Sequence, residues 1–165
     1  MDNSDITTQY GTGSFNYRVG AIIINSNKIL MATNCGSKHY YTVGGRVKLG
    51  ESAHDAVLRE VREEIKLPLT IDRLAFIHEN FFTWESTPCH EIALFFLMKP
   101  NPLLNEAVFD MVKENYGNVS FHWLPINELD KHTVYPKFLR SELINLTDNV
   151  LHLVTRNDIT KCVSG

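Results

Sequence analysis

The pattern of apolar and polar positions predicts a chain rich in strands. Residues 19–24 are β-branched and almost wholly apolar, which is typical of a strand buried on both faces. Turn residues at 25–27 then lead into a return strand at 28–32, so this part of the chain is predicted to form a hairpin. Further strands are predicted at residues 40–43, 70–81, 90–99, 121–124 and 150–154.

Helical spacing replaces the strand pattern at residues 52–66. Apolar residues recur there every four positions from Ala53 to Ile65, with Ser52 placed to cap the N-terminus and Pro68 to end the helix. A second main helix is predicted at 136–147, a loop at 81–90, and a long loop or irregular helix at 101–118. Helices between and after the strands of a mixed sheet indicate an α/β sandwich.

Length and composition indicate an ordinary globular protein. The chain has 165 residues, enough for one domain with a core, and 44% of them are hydrophobic and 21% charged. Residues 1–14 are polar and predicted to form a loose lead-in to a single domain at 15–165. The formal net charge of -3 argues against non-specific binding to nucleic acid but leaves a small anionic ligand open.

The cysteines and the N-terminus favour a cytoplasmic protein. Cys35, Cys89 and Cys162 are far apart and lack the spacing of zinc or redox sites, so we expect reduced thiols. The N-terminal residues do not resemble a signal peptide, and no apolar run approaches the roughly 20 residues that span a bilayer. We therefore expect no membrane partner.

Three glutamates share one side of the first predicted helix. Glu60, Glu63 and Glu64 are spaced i, i+3 and i+4, and Glu64 points to the flank of the apolar stripe. Like charges at this spacing repel each other, and proximity to the buried face raises the cost. Arg59 and Arg62 could compensate in part, but a hard divalent cation fits a carboxylate cluster better. The alternative is a solvated charged face without a specific role.

Glycines next to this helix favour a binding site over a solvated face. Gly44 and Gly45 end a predicted strand, and Gly50 precedes Glu51 in the loop before the helix. Glycine allows the backbone to turn tightly and to approach a ligand or metal ion closely. Glu51 could join the same pocket.

This segment resembles the signature of the Nudix hydrolase family. Lys66 stands where the signature has its final glycine, and Val43 stands where many relatives have proline. The glycine is expected to end the helix in a left-handed turn, so Lys66 affects the geometry more than the chemistry. The similarity extends over residues 15–155 and implies a Nudix-like α/β/α sandwich with a central mixed β-sheet. The matching residues are Gly45, Glu51, Arg59, Glu60, Val61, Glu63, Glu64 and Leu67.

The resemblance also implies residue roles. Glu60 and Glu64 would bind Mg²⁺ or Mn²⁺, and Glu63 would be a third ligand or would activate water. Glu51 would lie near the metal ion or hold Arg59, which would orient the site. The predicted metal ligands are Gly45 (through its carbonyl), Glu51, Glu60, Glu63 and Glu64, and the predicted catalytic residues within the signature are Arg59, Glu63 and Glu64.

The implied activity is metal-dependent hydrolysis of a phosphoanhydride in a nucleotide-like small molecule. ADP-ribose, a nucleotide sugar, a CDP-alcohol and a modified nucleoside triphosphate are all open as substrates. Family members often take the general base from outside the signature, and the candidates here are Glu91 and Glu114, each of which could instead be an ordinary surface acid.

Residues outside the signature are candidates for substrate binding. Arg18 and Arg46 could hold the phosphate that the metal ion does not, although snorkelling at a strand end also explains Arg18. Tyr41 is a candidate to stack on a base, although aromatic residues in strands are usually part of the core.

A non-catalytic nucleotide-binding or protein-interaction module on the same fold is the alternative. All four signature glutamates are present, which favours catalysis. The aromatic residues of 81–84 would suit a homodimer interface, and a monomer with these residues in its core is equally open.

Overall fold

The structure, a computed structural model, describes residues 4–34, 36–105, 112–114 and 117–157 of the chain. Its helices are α1 (Ala53–Ile65) and the short α2 (Leu139–Glu142), with 3-10 helices at Pro102–Asn105 and Ile126–Lys131. Its strands are β1 (Thr7–Tyr10), β2 (Gly13–Ile22), β3 (Ile24–Asn25), β4 (Lys28–Asn34), β5 (His39–Arg46), β6 (Ile71–Trp84), β7 (Thr87–Met98), β8 (Val112–Glu114), β9 (Gly117–Pro125), β10 (Thr133–Tyr135) and β11 (Leu151–Arg156).

The strands form one mixed sheet in the order β11-β6-β7-β2-β5-β4-β9-β8, with β1 paired to β2, β3 to β4 and β10 to β5. Strand pairs β2–β7, β6–β11 and β5–β10 are parallel, and the other pairs are antiparallel. This arrangement confirms the predicted α/β/α sandwich with a central mixed sheet.

Each face of the sheet carries its own core. Helix α1 packs through Val57 and Val61 on a layer that includes Ala21, whereas α2 and the second 3-10 helix pack on a layer that includes Ile22. Successive side chains along a strand point to opposite faces of the sheet, so the end of β2 needs apolar residues at successive positions to fill both cores. This requirement explains the apolar run that predicted a strand buried on both sides.

Helix α1 begins and ends where the sequence predicts. The Ser52 side chain accepts a hydrogen bond from the Asp55 amide at 3.1 Å, so the predicted N-cap is confirmed. The helix ends at Lys66, which adopts the left-handed conformation with φ 59° and ψ 18°. A lysine thus takes the backbone position that favours glycine.

The predicted loop at 81–90 is wrong. Strand β6 continues to Trp84 and β7 starts at Thr87, so a two-residue turn joins them. Glu85 and Ser86 have φ of 46° and 70°. Positive φ at both positions suits a tight hairpin, but the residues that usually announce such a turn are asparagine and glycine. The turn therefore has no recognisable signal in the sequence.

The predicted second main helix at 136–147 is also wrong, because only Leu139–Glu142 is helical. Leu139 and Leu143 are both buried, so one helical turn is enough to place the apolar residues that suggested a longer helix. Strand β10, which the sequence did not predict, precedes this turn and pairs with β5.

The structure also corrects the loose lead-in. Residues 7–10 form β1 on the edge of β2, and the Ile6 amide donates to the Val47 carbonyl at 2.8 Å. Parts of the predicted irregular segment 101–118 lie outside the described residues, as do Cys35 and Cys162, whereas Cys89 is a buried free thiol. Within the described part of the chain, no helix has the length and apolar character needed to cross a membrane.

Candidate active site

The guanidinium of Arg59 lies among three carboxylates, those of Glu60 and Glu63 on α1 and of Glu51 in the loop before it. Its Nε and Nη2 donate to the two oxygens of Glu51 at 2.8 and 3.0 Å. Its Nη1 donates to Glu60 at 2.7 Å and to Glu63 at 3.3 Å, and Nη2 also reaches the Arg46 carbonyl at 3.1 Å. The hydrogen bonds that Arg59 donates to Glu51 raise the pKa of Arg59 further above its usual range. Arg59 is therefore a permanent positive charge in this cluster.

Glu51 is held as an anion by the same contacts. The hydrogen bonds from Arg59 lower the pKa of Glu51, and the Lys48 amide adds a hydrogen bond to Oε2 at 3.1 Å. Both carboxylate oxygens are thus engaged in fixing the loop to α1. Glu51 therefore holds Arg59, which is one of the two roles predicted for it, and metal ligation by Glu51 stays a prediction.

Glu60 lies directly against the backbone of Gly45. A Cβ atom at residue 45 would be 2.3 Å from Oε1 of Glu60, so only glycine leaves room for this carboxylate. Burial raises the pKa of Glu60, and the hydrogen bond from Arg59 opposes this effect. The positive charge of Arg59 therefore favours the ionised form of the Glu60 carboxylate against the effect of burial.

The other two helix glutamates differ in exposure. Glu64 is only 7% exposed and accepts a hydrogen bond from the Gly44 amide at 2.9 Å, whereas the Glu63 side chain is 56% exposed. Of the three predicted helix ligands, Glu60 and Glu64 therefore lie at the less exposed end of the cluster, and Glu63 lies at its solvent-exposed edge.

The donors of this cluster suit a hard divalent cation. Three carboxylates and the adjacent Gly45 carbonyl are the oxygen ligands that Mg²⁺ and Mn²⁺ prefer. In the residues that the structure describes, no three acidic, histidine or cysteine side chains are placed closely enough to hold a metal ion. Arg59 Nη1 lies between Glu60 and Glu63 instead. The bonds from Nη1 engage Oε1 of Glu60 and Oε2 of Glu63, so the second oxygen of each carboxylate is not used by Arg59.

A cleft of ≈ 200 Å³ opens beside the paired glycines. It contains two of the predicted substrate-binding residues, Arg18 and Tyr41, and the predicted base Glu91. The Tyr41 hydroxyl donates to Asn34 at 2.7 Å, which fixes the position of the ring. The other lining residues are Val19, Thr42, Gly44, His78, Asn80, Ala93, Phe95, Tyr135 and Pro136.

Glu91 is a largely buried carboxylate next to the guanidinium of Arg18. Its Oε2 lies 3.7 Å from Arg18 Nε, and its side chain is 17% exposed. Burial raises the pKa of Glu91, whereas Arg18 and Arg46 act in the opposite direction. The side chain of the other predicted base, Glu114, lies outside the described residues.

Arg46 is not among the residues that line the cleft. Its Nη1 lies 3.7 Å from Asp5, and its Nε donates to Asn16 at 3.4 Å. It is nonetheless the cross-strand partner of Arg18, so both guanidinium groups are on neighbouring strands next to Glu91. A direct contact between Arg46 and a phosphate stays a prediction.

The NUDIX domain family model matches residues 15–142, which is most of the chain. The chain belongs to the Nudix family. It is a Nudix-type hydrolase that acts on pyrophosphate bonds, and membership implies a small nucleotide-like substrate. Nudix hydrolases generally use divalent metal ions.

Solved structures of other proteins share this Nudix fold. A mutator MutT protein from Bacillus halodurans is 16% identical, with a TM-score of 0.62 and coverage of 83% of this chain and 86% of that one. A UDP-X diphosphatase is 18% identical, with a TM-score of 0.58 and coverage of 88% and 69%. An ADP-ribose pyrophosphatase from Streptococcus suis is 15% identical, with a TM-score of 0.56 and coverage of 85% and 98%. At these identities the similarity shows the fold alone.

Sequence reasoning missed three residues of the cleft in this Nudix hydrolase. His78 and Asn80 alternate along β6 and could have been assigned to one face, but their nearness to Glu91 depends on strand register. Tyr135 was missed because β10 was not predicted, and its register places it opposite Tyr41.

Proposed function

We propose that this Nudix hydrolase uses a divalent metal ion to cleave a phosphoanhydride bond in a nucleoside diphosphate linked to another moiety or in a modified nucleoside triphosphate. The observation that supports this proposal best is the carboxylate of Glu60, which lies against Gly45 and whose side chain is only 15% exposed. Burial of a carboxylate is costly unless a cation or several hydrogen bonds compensate. A protein that only used this helix face for solubility would not bury the group.

Mg²⁺ or Mn²⁺ would be held by Glu60 and Glu64, with Glu63 and the Gly45 carbonyl as further ligands. Bound there, the ion would neutralise charge on the diphosphate oxygens and lower the pKa of a water molecule. Arg59 would keep its bonds to Glu51 and to the Arg46 carbonyl, so the loop that carries Gly45 would stay in place.

Glu91 is the general base that the geometry favours. Proton abstraction is most efficient when the base has a pKa near the working pH, and burial raises the pKa of Glu91 in that direction. Arg18, at 3.7 Å, favours the ionised form of Glu91 and also lowers the pKa of Glu60. Arg18 thus lies between the carboxylates of α1 and the cleft, where a diphosphate would need a cation.

The substrate classes that fit are ADP-ribose, a nucleotide sugar, a CDP-alcohol and a modified nucleoside triphosphate. The printed names of two proteins with the same fold, a UDP-X diphosphatase and an ADP-ribose pyrophosphatase, support a nucleoside diphosphate derivative. A homodimer and a cytoplasmic location stay predictions. Trp84, which is 65% exposed at the tip of the β6–β7 hairpin, would suit a dimer contact.

Phosphate release from a panel of these compounds, coupled to a phosphatase, tests the proposal. Each compound is assayed with Mg²⁺, Mn²⁺ or EDTA, using the wild type, Glu64→Gln, and Glu128→Gln as a control in the 3-10 helix Ile126–Lys131. We expect turnover that EDTA abolishes, a loss of roughly 100-fold or more in Glu64→Gln, and normal activity in Glu128→Gln. If no compound turns over but nucleotides still raise the melting temperature, the non-catalytic binding module is the better description.

A further inference from the structure

The register of three strands explains why a cleft exists at this place. Arg18 on β2, Ala93 on β7 and His78 on β6 are direct cross-strand neighbours. Neighbours in register point to the same face of a sheet and lie about 4.8 Å apart. The small side chain of Ala93 between two large ones therefore leaves a depression, with Arg18 on one side and His78 on the other.

The same depression is bounded along β7. Glu91 and Phe95 lie two residues before and after Ala93, so both point to the same face. Glu91 has Asn80 as its cross-strand neighbour on β6. Tyr135 also lines the cleft. The result is a small compartment with a floor of one methyl group, a polar end and an aromatic end.

The β6 side of the compartment carries no charge at neutral pH. Burial lowers the pKa of His78 to about 4, and Nε2 of the same ring is 2.8 Å from the Thr155 hydroxyl. Asn80 is neutral, and the positive charge of Arg18 is next to Glu91. A phosphate group would therefore find no free cation against β6, whereas an uncharged ring could pack there.

Asn80 brings an unsatisfied polar atom to the compartment. Its Oδ1 is buried and accepts no hydrogen bond from any residue that the structure describes. Buried polar atoms in proteins are nearly always hydrogen-bonded, so this exception needs an explanation. The two amide atoms exchange places when the side chain rotates, so Asn80 can offer either a donor or an acceptor to a ligand.

We propose that Asn80 recognises the nucleobase of the substrate, which lies over Ala93 between Arg18 and His78. An amide matches the paired donor and acceptor on the edge of a nucleobase, and the compartment is flat-floored and uncharged on this side. This inference rests on the proposed function, because hydrolysis at α1 determines which end of the substrate enters the cleft. Arg18 lines the cleft and is the cross-strand neighbour of Arg46, which follows Gly45, so a base in the cleft would direct its diphosphate past Arg18 towards α1.

Binding without hydrolysis tests the recognition separately from the chemistry. We would measure the affinities of AMP, GMP, CMP, UMP and ribose 5-phosphate by titration calorimetry in EDTA. The proteins are the wild type, Asn80→Ala, the isosteric Asn80→Asp, and Asn149→Ala as a control in an exposed loop. Circular dichroism confirms that each variant is folded.

The wild type should bind at least one nucleotide about tenfold more tightly than ribose 5-phosphate. In Asn80→Ala this preferred nucleotide should lose about three- to tenfold in affinity, the strength of one neutral hydrogen bond. Ribose 5-phosphate should be unaffected, and Asn80→Asp should change the order of preference among the four bases. Asn149→Ala should behave as the wild type.

A second variant tests the floor of the compartment. Ala93→Val adds two methyl groups where the ring would lie, so it should weaken all four nucleotides more than ribose 5-phosphate. The proposal is overturned if Asn80→Ala weakens every ligand by the same factor, or if the wild type shows no preference for any nucleotide over ribose 5-phosphate. If base preference depends on Asn80 but no compound is hydrolysed in the phosphate-release assay, the proposed function fails and the recognition by Asn80 stands.

Discussion

Arg59 and Glu51 form a two-point ion pair, with Nε to Oε1 at 2.8 Å and Nη2 to Oε2 at 3.0 Å. This pair ties the loop after Gly45 to helix α1. The third nitrogen, Nη1, remains available to Glu60 at 2.7 Å. One side chain thus positions the loop and supplies positive charge to the buried carboxylate.

Replacing Arg59 with lysine tests how much the two-point ion pair contributes to stability. An ammonium group cannot form both parallel bonds to Glu51 and also reach Glu60, because it lacks the planar fork of arginine. We expect Arg59→Lys to lower the free energy of unfolding by about 1–3 kcal/mol in urea denaturation. Arg62→Lys, on the exposed side of the same helix, should change it by less than about 0.5 kcal/mol. Equal effects of the two substitutions would show that the two-point pair adds nothing.

Gly45→Ala should displace the Glu60 carboxylate. The added Cβ would lie 2.3 Å from Oε1 and 2.5 Å from Cδ, and neither atom can stay in place. We expect a weaker Mn²⁺ affinity, measured by titration with EPR detection, and a fall in kcat/KM of roughly 100-fold. Glu60→Asp in the same protein shortens the clashing side chain and should restore part of the Mn²⁺ affinity. Unchanged Mn²⁺ binding in Gly45→Ala would contradict the assignment of Glu60 as a ligand.

The end of α1 offers a stabilising substitution. Lys66 has φ of 59°, a conformation that costs most residues about 1–2 kcal/mol and costs glycine little. Lys66→Gly should therefore raise the free energy of unfolding by about 1 kcal/mol without changing kcat, as measured by urea denaturation and steady-state assays. Lys66→Ala keeps the backbone strain and should bring no gain. A gain in both variants would trace the effect to the lysine side chain instead of the backbone.

The raised pKa of Glu91 predicts the acid limb of the pH–rate profile. A base must be deprotonated to act, so kcat/KM should fall as the pH drops through a value above the usual glutamate range. Arg18 lowers this pKa, so Arg18→Gln should move the limb to higher pH, whereas Arg18→Lys should leave it nearly in place. An acid limb that persists in Glu91→Gln would assign the base to another residue.

His78 should make the folded state sensitive to acid. Its pKa is lowered to about 4 in the folded protein and is close to 6.5 in the unfolded chain, so the unfolded state binds more protons between these values. The contribution of His78 to stability is therefore complete above pH 6.5 and is lost as the pH falls towards 4, by about 3 kcal/mol. His78→Gln should remove this part of the pH dependence in denaturation experiments, and His54→Gln, on the exposed surface of α1, should not.

Local features of the sequence determined the helix of the site. The spacing of Glu60, Glu63 and Glu64, the Ser52 cap and the strand before Gly44 depend on residues within a few positions of each other. Such features can be recognised in a short stretch of sequence, because helix and strand periodicity are properties of the backbone. The family resemblance carried by these residues was confirmed.

Only the tertiary structure decided which distant residues share the cleft. Asn80 and Glu91 are neighbours because β6 and β7 pair in one particular register, which a turn without glycine or asparagine establishes. A shift of this register by one residue would move every side chain of β6 to the other face. The raised pKa of Glu91 and the lowered pKa of His78 follow from burial between strands that are distant in sequence. Spacing along the chain carries no information about burial of this kind, because it arises from which surfaces finally pack together.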